Sequence, residues 1–351
     1  MSSLRRPRFA ASSLLVAFAA VATTMAATPA LALDQALIDA AKKEREVVWY
    51  TTLIVNQLAR PMADAFEKRY GIKVRYVRAN ASDTALKIIN EARAGKVQAD
   101  LFDGTSATPP LKQAGLVAKF LPEGAKALAS QFVDDEHQWV ATHAYYMTPG
   151  FNTDLVPVKT SPRTYQDLLD PKWRGKLAWN SSASTSGGPG FVGNVLITMG
   201  QDKGLDYLKT LSSQKIVNMD VSARQLLDQV IAGEFPIALQ IFNHHAVISA
   251  KKGAPVAWVP MEPVTATLSV VSLTKDAAHP NAGKLLIEYM VSEEGQKLFE
   301  AADYLPVHPK VKPRTPELTP EGGKFKANVI TPETLGDKLP EWKKLSDQLF
   351  R

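Results

Sequence analysis

Apolar runs and amphipathic segments alternate through most of this 351-residue chain. In the first third, the segments with helical apolar spacing are residues 36–45, 61–70 and 82–94. The runs with strand character that follow them are residues 47–52, 72–77 and 99–103. Such alternation is typical of α/β domains, in which helices cover a mostly parallel sheet. The pattern restarts after Thr164, so we predict two lobes of this class.

The N-terminus has the three parts of a secretory signal peptide. Residues 1–8 are basic, residues 9–25 are almost wholly apolar or small, and Ala30-Leu31-Ala32 is a small-x-small cleavage signal. A membrane anchor is the alternative, but the apolar stretch is shorter than the roughly 20 residues that span a bilayer. We predict removal of residues 1–32 through the general secretory route. The 319 residues that remain of 351 exceed what one core usually supports.

Charge and cysteine usage exclude several classes of protein. The signal peptide carries three arginines, so its removal lowers the formal net charge from +6 to +3. A chain so close to neutral gives no reason to expect a nucleic-acid partner. There is no cysteine in the sequence. A disulfide framework, a thiolate metal site and a lipoprotein anchor are therefore unavailable.

Two strand-like runs, residues 139–151 and 267–273, are predicted to cross between the lobes. We also predict one long helix from Asn281 to Ala301 and a terminal helix from Pro340 to Phe350. With these assignments, the first lobe comprises residues 33–147 and 267–310. The second lobe comprises residues 148–266 and 311–351, including the C-terminal helix.

A loop rich in serine and glycine spans residues 180–191, between a short apolar run and an apolar-periodic segment. A strand, a Ser/Thr/Gly turn and a helix start in this order place free N–H groups, hydroxyls and a positive helix dipole together, which suits an anion. An ordinary strand-to-helix turn prefers the same residues. The ligand-binding residues predicted here are Ser184, Thr185, Ser186, Gly187 and Gly188.

Ligands of parallel α/β sheets bind beyond the carboxyl ends of the strands. In the first lobe, this rule selects Thr51, Thr52, Asp103, Gly104, Thr105 and Ser106 as ligand-binding residues. Simple turn chemistry, with Asp103 as a helix N-cap, is the alternative. Because Asp103 would repel a bare anion, either its carboxylate faces away or the solute also carries a cationic group.

Three residues of the second lobe complete the predicted site. Arg224 opens a helix whose dipole its charge opposes, so we expect it to face an anion; pairing with Asp220 or Asp228 is the alternative. Asn243 and His244 follow a buried strand. Neighbouring residues on a strand end point in opposite directions, so at most one of His244 and its neighbour His245 faces the crevice.

Catalytic signatures are nearly absent. Ser-x-x-Lys occurs three times, beginning at Ser212, Ser249 and Ser272, but without the Lys-Thr-Gly or Ser-Asp-Asn motifs of penicillin-binding enzymes. There is no Gly-x-Ser-x-Gly elbow and no His-Glu-x-x-His zinc helix. We predict a binding protein and not an enzyme, with an exported serine hydrolase as the alternative.

The mature chain resembles the periplasmic solute-binding proteins of ABC importers, in the group that contains ferric-ion-binding proteins and relatives for phosphonates, polyamines and small anions. The resemblance rests on residues 47–50, 99–102, 151–156, 170–175, 232–239, 279–284 and 292–296. It implies a two-lobed type II fold, each lobe a mixed, mostly parallel sheet flanked by helices. It also implies a periplasmic monomer without a cofactor, with a small solute and an inner-membrane permease as partners.

The iron ligands of the ferric members do not carry over. Their positions fall near Ile54, Thr105, Asn243 and His244, which cannot supply the hard anionic oxygens that Fe(III) requires. The family's Ser-Gly helix start does match Ser186-Gly187. The resemblance therefore implies a small anionic solute, such as a carboxylate, a phosphate ester or a phosphonate. Binding of a ferric or other metal ion with a synergistic anion is the alternative.

Overall fold

The computed structural model describes residues 35–350, and the predicted signal peptide lies outside the described residues. The strands in this part of the chain are β1 (Glu46–Thr51), β2 (Lys73–Arg78), β3 (Leu101–Asp103), β4 (Val140–Asn152), β5 (Leu177–Asn180), β6 (Val217–Met219), β7 (Ile237–Phe242), β8 (Val256–Trp258), β9 (Val264–Leu273), β10 (Leu305–Pro306) and β11 (Ala327–Ile330).

The α-helices in the same range are α1 (Gln35–Glu44), α2 (Arg60–Tyr70), α3 (Ala81–Arg93), α4 (Thr108–Gln113), α5 (Gly188–Met199), α6 (Gln201–Ser212), α7 (Ala223–Ala232), α8 (Asn243–Lys251), α9 (Pro280–Val291), α10 (Glu293–Ala301), α11 (Pro320–Gly323) and α12 (Pro332–Phe350). Between residues 35 and 350, no helix is both long enough and apolar enough to cross a bilayer.

The sheet has two parallel ends and an antiparallel middle. Its main path runs β2-β1-β3-β9-β4-β7-β5-β6. Strand β1 pairs in parallel with β2 and β3, and β5 pairs in parallel with β6 and β7. The connections β3–β9, β9–β4 and β4–β7 are antiparallel. Two parallel α/β halves are therefore present, as the alternation in the sequence predicts.

Strands β4 and β9 belong to both halves. The first part of β4 pairs with β9, whereas its last residues pair with β7 and β8. Strand β9 pairs with β11 at its start and with β3 at its end. The two predicted crossing segments are thus confirmed. Strand β4 is shifted by one residue from the prediction, and β9 begins three residues earlier than predicted. The lobe boundaries drawn from the sequence remain a prediction.

Each of the two halves has its own apolar core. Trp49, Phe66 and Leu286 are fully buried in the cluster around β1 and β9. Trp179 and Leu208 are fully buried in the cluster that joins β5 to α5 and α6. Burial of side chains of this size contributes roughly 1.5–3 kcal/mol each, so each half has its own source of stability.

Two helix predictions are wrong in their limits. The segment predicted as one helix from Asn281 to Ala301 is two helices, because Ser292 is extended (φ −68°, ψ 160°) and its hydroxyl caps α10 by accepting from the Gly295 N–H. The terminal helix starts at Pro332 and not at Pro340. A proline suits the first helical turn, where its missing N–H is not needed, and Pro340 lies inside the helix.

Candidate functional site

The serine- and glycine-rich loop lies between β5 and α5 and is organised by Asn180. This side chain is fully buried. Its amide nitrogen donates to the carbonyl of Ser186 at 2.6 Å, and its oxygen accepts from the backbone N–H of Ser182 at 3.2 Å and from the Ser182 hydroxyl. Asn180 therefore folds the loop back on itself in front of the helix.

This loop carries a row of hydroxyls and, within the described part of the chain, backbone amides without acceptors. The hydroxyl of Ser184 lies 2.9 Å from that of Ser182 and 3.1 Å from that of Ser186. Gly187 is the N-cap of α5 and offers no side-chain cap. Within residues 35–350, the backbone N–H groups of Thr185, Ser186 and Gly188 have no acceptor. Hydroxyls, unpaired amides and the positive end of a helix dipole meet here, an arrangement that favours an anion.

Asp103 faces its own loop. The carboxylate is 2% exposed and accepts from Trp49 Nε1 at 2.9 Å, from the Thr52 N–H at 2.8 Å and from the Thr52 hydroxyl at 2.5 Å. Burial raises the pKa of Asp103, although the hydrogen bonds from Thr51, Thr52 and Trp49 oppose that shift. Of the two alternatives drawn from the sequence, the geometry agrees with a carboxylate that faces away from a solute.

The other first-lobe candidates lie in or directly after β1 and β3, close in sequence to Thr52 and Asp103. Thr51 is fully buried, and its hydroxyl accepts from the Leu53 N–H. Gly104 (φ +121°) lies so close to Thr52 that a Cβ would come within 2.9 Å of its methyl group. The Thr105 hydroxyl donates to the Leu268 carbonyl. Ser106 is exposed.

In the second lobe, Arg224 is engaged by its own helix, α7, and by the neighbouring helix α8. Its guanidinium lies 2.6 Å from Asp228 and 3.1 Å from the Ser249 hydroxyl. This is the pairing that the sequence left as the alternative to an anion contact. With 44% of its side chain exposed, the ion pair with Asp228 contributes little to stability.

Asn243 and His244 lie in the first turn of α8, so their placement on a strand end was wrong. The reason is that β7 passes into α8 at Phe242 without an intervening loop. Both side chains are buried. Asn243 donates to the Leu318 carbonyl at 2.9 Å, but its oxygen has no partner in the described part of the chain, nor has Nδ1 of His244.

An aromatic cluster, missed by the sequence interpretation, lies where the two halves meet. The ring of Tyr145, on β4, lies 5.2 Å from Phe242, 5.8 Å from His244, 6.3 Å from Tyr304 and 4.7 Å from His143. Burial lowers the pKa of His143 to about 3 and that of His244 to about 3. We call these five side chains the aromatic floor. The position of Tyr145 on a crossing strand was the available signal.

Arg78 was also missed. It is the last residue of β2 and is exposed, and it stands opposite Thr51 in the parallel pairing of β1 and β2. The rule that selected Thr51 and Asp103 applies equally to the carboxyl end of this strand. Applying it to all three strands would have included Arg78.

A serine hydrolase and a metal-binding protein were the alternatives left open by the sequence. Ser272 lies on β9, so the Ser-x-x-Lys sequence that begins there is on a strand and not on a helix. Its hydroxyl is buried and has no partner in the described part of the chain. Across residues 35–350, no three histidine, aspartate or glutamate side chains gather as a metal site would require. The candidate residues described above contribute hydroxyls, backbone amides and aromatic rings.

Comparison with known proteins shows which family this chain belongs to. A putative 2-aminoethylphosphonate-binding periplasmic protein of Salmonella typhimurium is 26% identical over 288 residues, which is 80% of each chain. Iron-bound HitA of Pseudomonas aeruginosa has a TM-score of 0.69 at 22% identity, over 87% of this chain and 99% of that one.

The fructose-6-phosphate-bound protein AfuA of Actinobacillus pleuropneumoniae has a TM-score of 0.70 at 21% identity, over 87% of this chain and 98% of that one. These likenesses confirm the two-lobed type II fold of periplasmic binding proteins. The family model described as bacterial extracellular solute-binding protein matches residues 97–326. With two thirds of its length matched, the chain belongs to the family of bacterial extracellular solute-binding proteins.

Proposed function

We propose that this protein captures a small anionic solute, a carboxylate, a phosphate ester or a phosphonate, between its lobes. It then delivers the solute to the inner-membrane permease of an ABC importer, acting in the periplasm as a monomer without a cofactor. One observation carries the proposal: the loop before α5 presents three serine hydroxyls and the free amides of Thr185, Ser186 and Gly188 at a helix N-terminus.

The physical argument concerns unpaired donors. Amides that lack an acceptor are costly to bury, so a site lined by them favours a ligand that brings acceptor oxygens. Hydrogen bonds to an ionised acceptor are roughly twice as strong as neutral ones. A carboxylate, phosphate or phosphonate group offers two or three oxygens to the hydroxyl row of Ser182, Ser184 and Ser186. The helix dipole of α5 adds a favourable term for negative charge.

The proposed site has walls from both lobes. The loops after β1 and β3 provide Thr52 and Thr105, and the first turn of α8 provides Asn243 and His244. Because β4 and β9 connect the lobes, closure around the solute would be a hinge motion within these two strands, near residues 146–152 and 265–270. Such a motion encloses the solute for transfer to a permease.

Calorimetry on refolded, ligand-stripped protein tests the proposal. The probes are inorganic phosphate, methylphosphonate, phosphonoacetate, glycerol phosphate and citrate. At least one is expected to bind, and a probe at 100 times its Kd should raise the free energy of unfolding by about 2.7 kcal/mol. Ser186→Ala should weaken that binding, whereas Ser213→Ala, on the exposed end of α6, should leave it unchanged.

Three results would count against the proposal. If no anion bound the stripped protein, the site would not be an anion site. If a ferric salt bound with a coloured complex in the absence of any added anion, the protein would instead carry metal. Equal binding by Ser186→Ala and Ser213→Ala would remove the role given to the loop.

A further inference from the structure

We infer that Arg78 holds a second negative group of the same solute, so that the solute is an anion at both ends and not a zwitterion. This inference rests on the proposed function, since it concerns the first-lobe side of the same cleft. The relative from Salmonella is named for an aminophosphonate, which carries an amine at the end opposite its phosphonate. A solute with two separate anionic groups, called a dianion below, is therefore a different class of ligand.

The position of Arg78 directs its side chain toward the cleft. In β2, Val74, Tyr76 and Arg78 share one face, because side chains alternate along a strand. Val74 is buried in the core cluster that also includes Tyr304, and Tyr76 packs against that cluster. Arg78 is the last residue on this face, and the N–H of the next residue, Ala79, bonds the Thr51 carbonyl at 3.0 Å. Arg78 thus stands at the carboxyl edge of the sheet, beside the loop after β1.

Tyr304 connects Arg78 to the centre of the cleft. Burial raises the pKa of Tyr304, and the negative charge of Asp103 adds to that shift, while a backbone hydrogen bond from Ile54 and the nearby cation of Arg78 act to lower it. The ring of Tyr304 packs on Tyr145, and Tyr145 packs on Phe242 and His244 from the other lobe. A solute that lies over the aromatic floor can therefore be reached by Arg78 from the first lobe.

The guanidinium of Arg78 has no carboxylate partner among the described residues. Two other arginines of this lobe have such a partner: Arg75 lies 3.5 Å from Glu46, and Arg69 pairs with Glu294. An unpaired arginine at a strand end is suited to a carboxylate or phosphate, which it can bind through two parallel hydrogen bonds.

The carboxylate of Asp103 has no free oxygen to offer an ammonium group, although its charge is felt at Tyr304. Both of its oxygens accept from Trp49 and Thr52, and it is buried beneath the loop after β1. An ammonium group on the solute would find the cation of Arg78 at this side of the cleft and no free carboxylate. A second anionic group would find an unpaired guanidinium. The charges at this edge therefore favour a dianion.

A titration with three phosphonates tests the inference. Methylphosphonate has no second charged group, phosphonoacetate adds a carboxylate, and 2-aminoethylphosphonate adds an amine. The wild-type protein should bind phosphonoacetate most tightly. Arg78→Gln should raise the Kd of phosphonoacetate by about tenfold or more. It should change the Kd of methylphosphonate by less than about twofold. Arg75→Gln, on the opposite face of the same strand, is the matched control and should change neither.

The outcomes separate this inference from the proposed function. If phosphonoacetate binds and Arg78→Gln matches Arg75→Gln, the dianion inference fails and the anion site stands. If 2-aminoethylphosphonate binds more tightly than phosphonoacetate, the dianion inference likewise fails and the anion site stands. If none of the phosphonates, phosphates or carboxylates binds, the proposed function and this inference fail together.

Discussion

Trp49 donates its indole N–H to the carboxylate of Asp103 at 2.9 Å, and both residues are buried. The same carboxylate accepts from the N–H and the hydroxyl of Thr52. One acidic side chain thus ties the strand β1, the loop after it and the end of β3 together. The first-lobe wall of the cleft depends on this single group.

Asp103→Asn is expected to lower the free energy of unfolding by about 2 kcal/mol, because the new amide N–H would face a donor and leave a buried donor unpaired. Urea unfolding measures the change. Asp135→Asn, at an exposed position, is the control and should cost less than about 0.5 kcal/mol. Equal effects from the two variants would show that the carboxylate does not hold the loop.

His143 makes stability depend on pH. Burial lowers its pKa from 6.5 to about 3. Between these two values the unfolded chain binds a proton that the folded chain does not, so the free energy of unfolding falls as the pH falls through this window. From pH 7 to pH 5, this one residue should remove about 2 kcal/mol. His244, with a pKa lowered to about 3, acts in the same direction.

Urea unfolding of His143→Phe at pH 7 and pH 5 measures this effect. The variant should lose less stability on acidification than the wild-type protein. Phe299→Leu changes a ring that contacts His143 but removes no titratable group, so it should lower stability equally at both pH values. A His143→Phe variant with the wild-type pH dependence would contradict the prediction.

The alternation of strands and helices was readable from the sequence because buried parallel strands are continuous apolar runs. The loop before α5 was readable for a similar reason, since Ser, Thr and Gly are what a helix start needs. The direction of a side chain was not readable. Asp103 and Arg78 lie at the ends of β3 and β2, the two strands that flank β1, and only their hydrogen-bond partners show that the carboxylate is used internally and the guanidinium is not.

The aromatic floor could be recognised from the sequence only in part, through His244 and the place of Tyr145 on a crossing strand. Tyr145, Phe242 and Tyr304 are distant in sequence, and they meet because β4 crosses between the two halves. The helix start at Asn243 was missed because no turn residue separates it from β7. Packing, and not local propensity, decides the conformation there.

Glu333 links the C-terminal helix to the first lobe. Its carboxylate accepts from Lys112 Nζ and from Trp139 Nε1, each at 2.8 Å. Burial would raise the pKa of Glu333, but these hydrogen bonds outweigh it and the pKa is lowered. Glu333→Ala should cost only about 1 kcal/mol, since the side chain is 39% exposed. Amide hydrogen exchange in the first turn of α12 should nevertheless become faster.

Glu341→Ala, on an exposed position of the same helix, is the control for that measurement. It removes the same charge without touching the first lobe, so exchange in the first turn should stay as in the wild-type protein. Unchanged exchange in Glu333→Ala would mean that the packing of α12 on α5 alone holds this turn.

Two crowded glycines distinguish a binding role for the loop from a packing role. A Cβ on Gly187 would come within 2.2 Å of the Ser182 carbonyl, and a Cβ on Gly193 would come within 2.4 Å of the Trp342 ring. Both substitutions to alanine should lower stability by about 1–3 kcal/mol. Only Gly187→Ala displaces the hydroxyl row, so only this variant should weaken the binding of an anion.

Calorimetry with the tightest anion of the wild-type protein, at a temperature where both variants are folded, makes this comparison. Gly193→Ala should bind as the wild-type protein does, because its strain falls between α5 and α12, about one and a half turns of helix beyond the loop. The Kd of Gly187→Ala should rise by about tenfold or more, since the loss of one or two charge-assisted hydrogen bonds has that size. Equal affinities in the two variants would show that the anion is bound elsewhere in the cleft.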